Sequence, residues 1–170
     1  MILELESQPA LDLLRERLVE SGETDLKAAL DRVFVGLLPI DSDSDTEYLV
    51  RNITHADPDT GVLTINKRVM EDQRVVFVQR TADAAREDLV QALERAQRAT
   101  QGIEPVFGLY FNCLARGQLL YGERDVDVAE IRRRFPNLPL LGFFCNAEIG
   151  PLRDVNQLFT YTGVLLIVGR

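Results

Sequence analysis

The hydrophobic pattern in the last third of the chain predicts a central strand that ends in polar residues. Residues 106–111 are six consecutive apolar or small residues, whereas a strand with one wet face would alternate apolar and polar positions. We therefore expect a strand that is covered on both faces. The run stops at Asn112, and Cys113, Arg116 and Gly117 follow. The strand delivers a thiol and a guanidinium to one end of the predicted sheet.

A second run of the same shape lies at residues 138–151. Its apolar stretch is followed by Asn146, Glu148 and Gly150. Two buried central strands that end in complementary polar groups suggest one shared site, because open sheets tend to bind ligands beyond the ends of their strands. The pattern therefore predicts that Arg116 and Glu148 lie at the same end of the sheet.

Apolar residues at helical spacing predict four helices. The helices cover residues 9–20, 24–35, 82–100 and a brief segment that ends at Phe135. Thr24 or Asp25 is expected to cap the second helix. Asp127 and Glu130 form a capping box for the last one. Residues 33–40 are apolar enough to form a strand instead of the end of the second helix, and the pattern does not decide between the two.

Alternating and continuous apolar runs elsewhere predict strands at residues 2–6, 48–55, 62–67, 74–80, 119–121 and 160–168. Pro58 and Gly61 lie between the second and third of these runs and predict a hairpin, to which residues 74–80 add a third strand of an antiparallel meander. Strands therefore occur both in a meander and between helices. This order indicates an α+β fold with a mixed, largely antiparallel sheet and helices packed on it. We see no linker, so residues 1–170 are predicted to form a single domain.

Composition and charge narrow the classes of function. The formal charge of −8 and the pI near 4.7 disfavour nucleic acid as a partner, because affinity for phosphates depends on lysine and arginine. No apolar stretch approaches the ~20 residues that span a membrane, and the chain does not open with a signal-peptide pattern. Two cysteines and one histidine give neither a zinc spacing nor a disulfide framework. We expect a cytoplasmic protein with no metal and no cofactor.

The acidic segment at residues 41–47 begins like a calcium-binding loop. An EF-hand loop needs glycine at its sixth position and glutamate at its twelfth, and this chain has Thr46 and Asn52 there. A solvated loop is the preferred interpretation.

Several motifs of the last third together resemble the C-terminal half of the FIST family. They are FNCLARG at residues 111–117, LGFF at 141–144, AEIGP at 147–151, and Tyr161 followed by Thr162. Similar residues at 9–11 and 69–88 extend the resemblance over nearly the whole chain. The resemblance implies a sensory input domain, found mainly in bacterial signalling proteins, that binds small ligands such as amino acids. It also implies an N-terminal FIST half as partner. Because the chain opens within a predicted strand, we expect a piece excised from a longer protein.

Opposite charges at the two strand ends suit a zwitterionic ligand. Arg116 offers a bidentate grip on a carboxylate, and Glu148 can hold an ammonium group. The alternative is that Arg116 and Glu148 pair with each other and close the end of the sheet, and the sequence leaves both possibilities open. The predicted ligand-binding residues are Asn112, Cys113, Arg116, Gly117, Asn146, Glu148, Gly150 and Thr162.

Two other classes of function stay open beside noncatalytic ligand sensing, which is our main prediction. Cys113 could serve a thiol-dependent enzyme as its nucleophile, although no histidine lies near it in the sequence. The chain could also be an interaction domain that docks on an N-terminal FIST half, on a signalling effector, or on a second copy as a homo-oligomer.

Overall fold

The computed structural model describes residues 1–40 and 47–170 of the chain. These residues fall into two compact units, Met1–Arg80 and Thr81–Arg170. They contain five helices and eleven strands, and the named strands pair antiparallel with one exception. The α+β class with largely antiparallel sheets and packed helices is confirmed. The extent of the domain, residues 1–170, stays a prediction, and the predicted solvated loop falls mostly on residues 41–46, outside the described residues.

The first unit is built on a four-stranded antiparallel sheet. Its elements are β1 (Glu4–Leu5), β2 (Gln8–Pro9), α1 (Ala10–Glu20), α2 (Leu26–Leu30), β3 (Val33–Leu37), β4 (Leu49–Ala56), β5 (Leu63–Ile65) and β6 (Val75–Gln79). The strand order is β5-β4-β3-β6. All five residues of β3 are buried, and β4 and β6 pair with its two edges. The predicted cap of α2 is present, since the side chain of Asp25 accepts the N–H groups of Lys27 and Ala28.

One open question in the first unit is settled, and one prediction is wrong. Of the two possibilities for residues 33–40, the strand is observed: the second helix ends at Leu30, and Val33–Leu37 form β3, which is paired with β4 and β6. The hairpin of β4 and β5 is confirmed, but β6 does not continue a meander from it. Instead β6 pairs with β3. The backbone of β3 has hydrogen-bonding groups on both edges, and β6 pairs with the edge that β4 leaves open.

The second unit is built on a three-stranded sheet. Its elements are α3 (Ala82–Ala99), β7 (Pro105–Cys113), α4 (Gln118–Tyr121), α5 (Val126–Arg134), β8 (Leu140–Cys145), β9 (Glu148–Leu152), β10 (Val155–Phe159) and β11 (Gly163–Gly169). The strand order is β11-β7-β8, with β8 parallel and β11 antiparallel to β7. The strands β9 and β10 form a separate antiparallel hairpin. The predicted central position of β7 is confirmed.

Helices α3 and α5 cover one face of this sheet. Tyr110 of β7 belongs to a buried core with Leu93 of α3 and with Ile131 and Phe135. Leu165 of β11 packs against the same core from the sheet side. The apolar stripe that recurs every 3.6 residues along α3 therefore packs against the side chains that alternate onto this face of the strands.

The opposite face of the sheet is largely open. We define the open face by the apolar residues that alternate away from the helices on the three strands, namely Phe107, Leu109, Phe111, Leu141, Phe143, Val164, Leu166 and Val168. Leu141 is 72% exposed and Phe143 is 63% exposed. The prediction that both runs are covered on two faces is therefore wrong. The second run is also not central, because β8 is an edge strand of this sheet.

Two further elements differ from their predictions. Residues 119–121, predicted as a short strand, lie in the short helix α4. The hairpin of β9 and β10 was not predicted, because its alternation is interrupted by Gly150 and Pro151. In the part of the chain that the structure describes, no helix is both long and apolar enough to cross a membrane.

Candidate functional site

The parallel pairing of β7 and β8 brings the ends of the two strands together. Cys113 lies opposite Cys145 in the register, and the N–H of Leu114 donates to the carbonyl of Cys145 at 2.9 Å. Parallel strands have their carboxyl ends at the same edge of a sheet, so the residues that follow β7 and β8 are collected there. The prediction that the polar ends of the two runs lie at the same end of the sheet is confirmed.

A buried cluster around Asp127 lies at this end, on the helix-covered side of the sheet. The carboxylate of Asp127 accepts five hydrogen bonds. Arg116 donates from Nε to Oδ2 at 3.0 Å and from Nη2 to Oδ1 at 3.1 Å. The hydroxyl of Tyr110 donates at 2.8 Å, the amide of Asn112 at 2.9 Å and the hydroxyl of Tyr121 at 2.7 Å. We call these five side chains the Asp127 cluster.

The Asp127 cluster is a closed ion pair. The side chains of Arg116 and Asp127 are only 7% and 4% exposed. Burial by itself would raise the pKa of Asp127, but the hydrogen bonds and the charge of Arg116 outweigh it and hold this pKa below its ordinary value. Burial would likewise lower the pKa of Arg116, and Asp127 raises it instead. A buried pair is tolerated only when further hydrogen bonds satisfy it, and two tyrosines and an asparagine provide them here.

Arg116 is also fixed by the ring of Tyr121. Its guanidinium carbon lies 5.6 Å from the ring centroid, and that of Arg86 lies 5.0 Å from it. The Nε–Nη2 edge of Arg116 is already used by Asp127. The bidentate grip that the sequence suggests for a ligand carboxylate is therefore made on a carboxylate of the protein itself.

Sequence reasoning missed Asp127 as the partner of Arg116. It assigned Asp127 to a capping box, but the residue at the N-cap of α5 is Asp125, which makes no side-chain cap hydrogen bond. The available signal was spacing. Asp127 lies four residues before Ile131, which is buried, so both side chains lie on the same buried face of α5. A carboxylate on a buried stripe requires a cation, and Arg116 is close in the chain.

A second buried carboxylate, Glu148 at the start of β9, lies at the same end of the sheet. Glu148 is 1% exposed. The thiol of Cys145 donates to its Oε1 at 3.4 Å, and the hydroxyl of Thr162 donates to its Oε2 at 3.2 Å. Cys113 and Cys145 alternate onto the side of the sheet that carries the open face. We call Glu148, Cys145, Thr162 and Cys113 the Glu148 cluster.

The Glu148 cluster lacks a paired cation. Among residues 1–40 and 47–170, no lysine or arginine forms an ion pair with Glu148. Burial raises the pKa of Glu148 above its ordinary value, and hydrogen bonds from Cys145 and Thr162 and the more distant charge of Arg116 offset only part of that rise. Burial and then the hydrogen bond and charge of Glu148 raise the pKa of Cys145. Glu148 and Cys145 therefore each release a proton at a higher pH than the same side chain does in water.

The alternative in which Arg116 and Glu148 pair with each other does not occur. Arg116 pairs with Asp127, and Glu148 binds a thiol and a hydroxyl. The two groups share one end of the sheet, as predicted, but alternation along β7 places their partners on opposite faces. Asn112 faces the helices, and Cys113 faces the other way.

The remaining predicted site residues differ in their contacts and in their exposure to solvent. Thr162 contacts Glu148, and Gly150 lies against Val164, whereas Asn146 is exposed. Gly117 is the N-cap residue of α4 and has a φ of 69°, a conformation that favours glycine. In the Asp127 cluster, Oδ1 of Asn112 is buried without a hydrogen-bond partner among the described residues.

Gly163 controls how Tyr110 reaches Asp127. Gly163 pairs with Asn112 across β11 and β7. A Cβ atom at this position would collide with the hydroxyl oxygen and ring of Tyr110. Glycine is required here for close approach, so the sequence of β11 helps to set the geometry of the Asp127 cluster.

Comparison with known proteins identifies similar sequences. A family model described as the FIST C domain matches residues 10–151. An uncharacterized protein of Mycobacterium tuberculosis is 33% identical over 172 residues, which cover 98% of this chain and 44% of the relative. An uncharacterized protein of Mycobacterium bovis is 30% identical over 171 residues, with the same coverage. F-box only protein 22 of Homo sapiens is 36% identical over 69 residues, which cover 40% of this chain and 17% of that protein. The chain thus spans less than half the length of these relatives.

Proposed function

The chain belongs to the FIST C domain family, and from this premise we propose that it is a noncatalytic, small-ligand-binding sensory domain of a bacterial signal-transduction protein. The family is of a sensory, signal-transduction type. The finer statement is that the ligand is a small, amino-acid-like molecule, bound in the cytoplasm at the carboxyl ends of β7 and β8. The proposed site comprises the eight residues predicted from the sequence.

The observation that carries this proposal is the unneutralised carboxylate of Glu148. Removing a carboxylate from water without a cation is unfavourable, and the raised pKa of Glu148 expresses that cost. Perturbed groups of this kind cluster at functional sites. A ligand ammonium group beside Oε1 or Oε2 would supply the missing positive charge. Thr162 and Cys145 would then orient the carboxylate toward it.

Arg116 takes a different role in this proposal from the one that the sequence suggests. Its bidentate edge is held by Asp127, so a ligand carboxylate is left with Nη1. Arg116 therefore acts first as a positioning residue that fixes the loop after β7. Substituting Arg116 is a poor test of ligand binding, because it would leave Asp127 buried without its cation.

The test is thermal unfolding of the chain in the presence of single compounds: glycine, glutamate, lysine, putrescine, acetate and succinate. We expect compounds with an ammonium group to raise the Tm of the wild-type chain. Glu148→Gln should abolish this rise, because it removes the charge while keeping the shape of the side chain. Glu104→Gln is the matched control, since Glu104 is exposed and pairs with Arg170 at the surface. A screen in which no compound raises the Tm would overturn the ligand-binding proposal.

The open face favours a second candidate function, an interaction domain. Its apolar side chains from three strands form a contiguous surface, and such surfaces mark interaction sites. The candidate partners are an N-terminal FIST half, a signalling effector or a second copy of the chain. Sedimentation of the wild-type chain and of Phe143→Ser tests the last of these. A wild-type dimer that becomes a monomer on this substitution would support homo-oligomerisation, and a wild-type monomer would contradict it.

A thiol-dependent enzyme based on Cys113 is the least supported class. Cys113 is 4% exposed, and its Sγ accepts the N–H of Tyr161 at 3.3 Å. The pKa of Cys145, its neighbour on β8, is raised, which disfavours a thiolate at Cys145. We propose that neither cysteine performs catalysis. We also propose that the domain binds neither nucleic acid nor a membrane and needs no cofactor.

A further inference from the structure

The two cysteines of the chain form a pair that the ligand-binding proposal does not explain. They are the only cysteines in the sequence, and both are free thiols. Thirty-two positions apart in the chain, they become direct neighbours because β7 and β8 pair in parallel register.

The register places the two residues at a separation that a disulfide can bridge. Neighbouring strands lie about 4.8 Å apart, and disulfides join residues whose Cα atoms are about 4.4–6.8 Å apart. Residues opposite each other in register point to the same face of the sheet. The register therefore places the two cysteines within the range of separations that a disulfide bridges.

The two thiols are held in different ways. Sγ of Cys113 is buried and accepts the N–H of Tyr161. Cys145 is partly exposed, and its thiol donates to Oε1 of Glu148 at 3.4 Å and to the carbonyl of Asn112 at 3.6 Å. An oxidant from solvent therefore reaches Cys145 first. The carboxylate of Glu148 disfavours the negative charge of a thiolate at Cys145, so it slows the first step.

From this geometry we infer that Cys113 and Cys145 are a reversible dithiol–disulfide pair whose oxidation is restrained by Glu148. The oxidant class is a hydroperoxide, with hydrogen peroxide as the probe. The Cys145 thiol releases its proton to solvent, and the thiolate attacks one peroxide oxygen. The O–O bond breaks, hydroxide leaves and is protonated, and a sulfenic acid forms at Cys145. Sγ of Cys113 then attacks that sulfur, and the S–S bond forms as water departs with the proton of Cys113. In total two thiols and one peroxide give one disulfide and two waters.

The disulfide would have a local consequence. It removes the S–H donor from Oε1 of Glu148, which leaves the hydroxyl and backbone N–H of Thr162 as the protein donors to this carboxylate. Oxidation thus alters the surroundings of Glu148 whether or not a ligand binds there. The inference does not rest on the proposed function.

The experiment treats the folded chain with millimolar hydrogen peroxide and follows its intact mass and its thiol content after alkylation in denaturant. We expect the wild-type monomer to lose two hydrogen atoms and both thiols, and dithiothreitol to restore them. Cys113→Ser and Cys145→Ser should each fail to give the intramolecular product. Wild-type chains that keep both thiols, or that gain oxygen atoms without cross-linking, would overturn the inference.

The restraint by Glu148 has its own readout. Glu148→Gln removes the carboxylate charge beside Cys145, so the disulfide should form several-fold faster than in the wild type at the same pH. Glu104→Gln, a matched change at an exposed site, should leave the rate unchanged. An equal or slower rate in Glu148→Gln would refute the restraint. Circular dichroism of every variant verifies that the fold is retained.

Discussion

Two buried carboxylates lie at the same end of the second unit, and their partners differ in charge. Asp127 is matched by Arg116 and accepts three further hydrogen bonds, from two hydroxyls and an amide. Glu148 is as deeply buried, but its side-chain partners are a thiol and a hydroxyl. The pKa of Asp127 is lowered and that of Glu148 is raised.

The contrast separates a structural group from the group that we propose to receive a ligand. A carboxylate whose partners are complete contributes to stability and offers nothing to a ligand. A carboxylate without a cation is a cost in the folded state, and it can be relieved by a cation from outside. Similar burial therefore gives different roles, and the identity of the partners decides which role each residue takes.

Removing the charge of Asp127 should produce the largest effect. Asp127→Asn leaves the guanidinium of Arg116 buried without its counter-charge, which typically costs about 3–5 kcal/mol. Urea denaturation followed by circular dichroism measures the loss. The double variant Arg116→Met/Asp127→Asn should recover part of it, because the uncompensated charge is gone. A loss below about 1 kcal/mol for Asp127→Asn would mean that the pair is not closed as described.

Removing one donor to Asp127 should have an intermediate effect. Tyr110→Phe keeps the ring in the core and deletes the hydroxyl that donates at 2.8 Å. Hydrogen bonds to charged groups contribute about 1.5–3 kcal/mol, so we expect a loss of that size. Gly163→Ala displaces the same hydroxyl from the other strand and should also destabilise the unit. If Tyr110→Phe matched the wild type, the hydroxyl would be dispensable to the cluster.

Neutralising Glu148 should have the smallest effect on stability and the opposite dependence on pH. Glu148→Gln removes a carboxylate that is costly when ionised, so the free energy of unfolding at neutral pH should change by about 1 kcal/mol or less, without a marked loss. A fall of several kcal/mol would show that Glu148, like Asp127, is a structural group.

The pH dependence of unfolding sharpens the comparison. The folded pKa of Asp127 is lowered, so its stabilisation is complete above the ordinary value of 3.8 and is lost as the pH falls through the folded pKa. The folded pKa of Glu148 is raised, so its cost is absent below the ordinary value of 4.5 and complete above the folded pKa. Between pH 4.5 and the folded pKa of Glu148, the wild type should lose stability as the pH rises. Glu148→Gln should lack that loss. Parallel curves for the two proteins would contradict the assignment.

Much of the local structure follows from sequence periodicity. The helical spacing of α1 and α3 and the turn between β4 and β5 were predicted correctly, because each depends on residues near one another in the chain. The position of β6 beside β3 was not predictable in this way. The strand that pairs with each edge of β3 is decided by contacts between residues far apart in the chain. The hydrophobic pattern within one segment carries no information on those contacts.

The candidate site divides along the same line. Arg116 and Glu148 were recognised from the sequence, since each lies a few residues after an apolar run that predicts a strand. Their pairings were not predicted. Asp127 pairs with Arg116 from α5, and Thr162 contacts Glu148 from the residue before β11, so both contacts depend on how the elements pack. The exposure of Leu141 and Phe143 likewise depends on which face of the sheet the helices cover.

The sequence by itself determined the family, the α+β class and the polar residues at the strand ends, because these are written in composition, periodicity and short motifs. The tertiary structure alone decided which charges are neutralised and which are not. The physical reason is that a side chain's neighbours in a strand alternate between two faces, so residues adjacent in the chain, such as Asn112 and Cys113, join different clusters. Only the packed sheet assigns each face its partners.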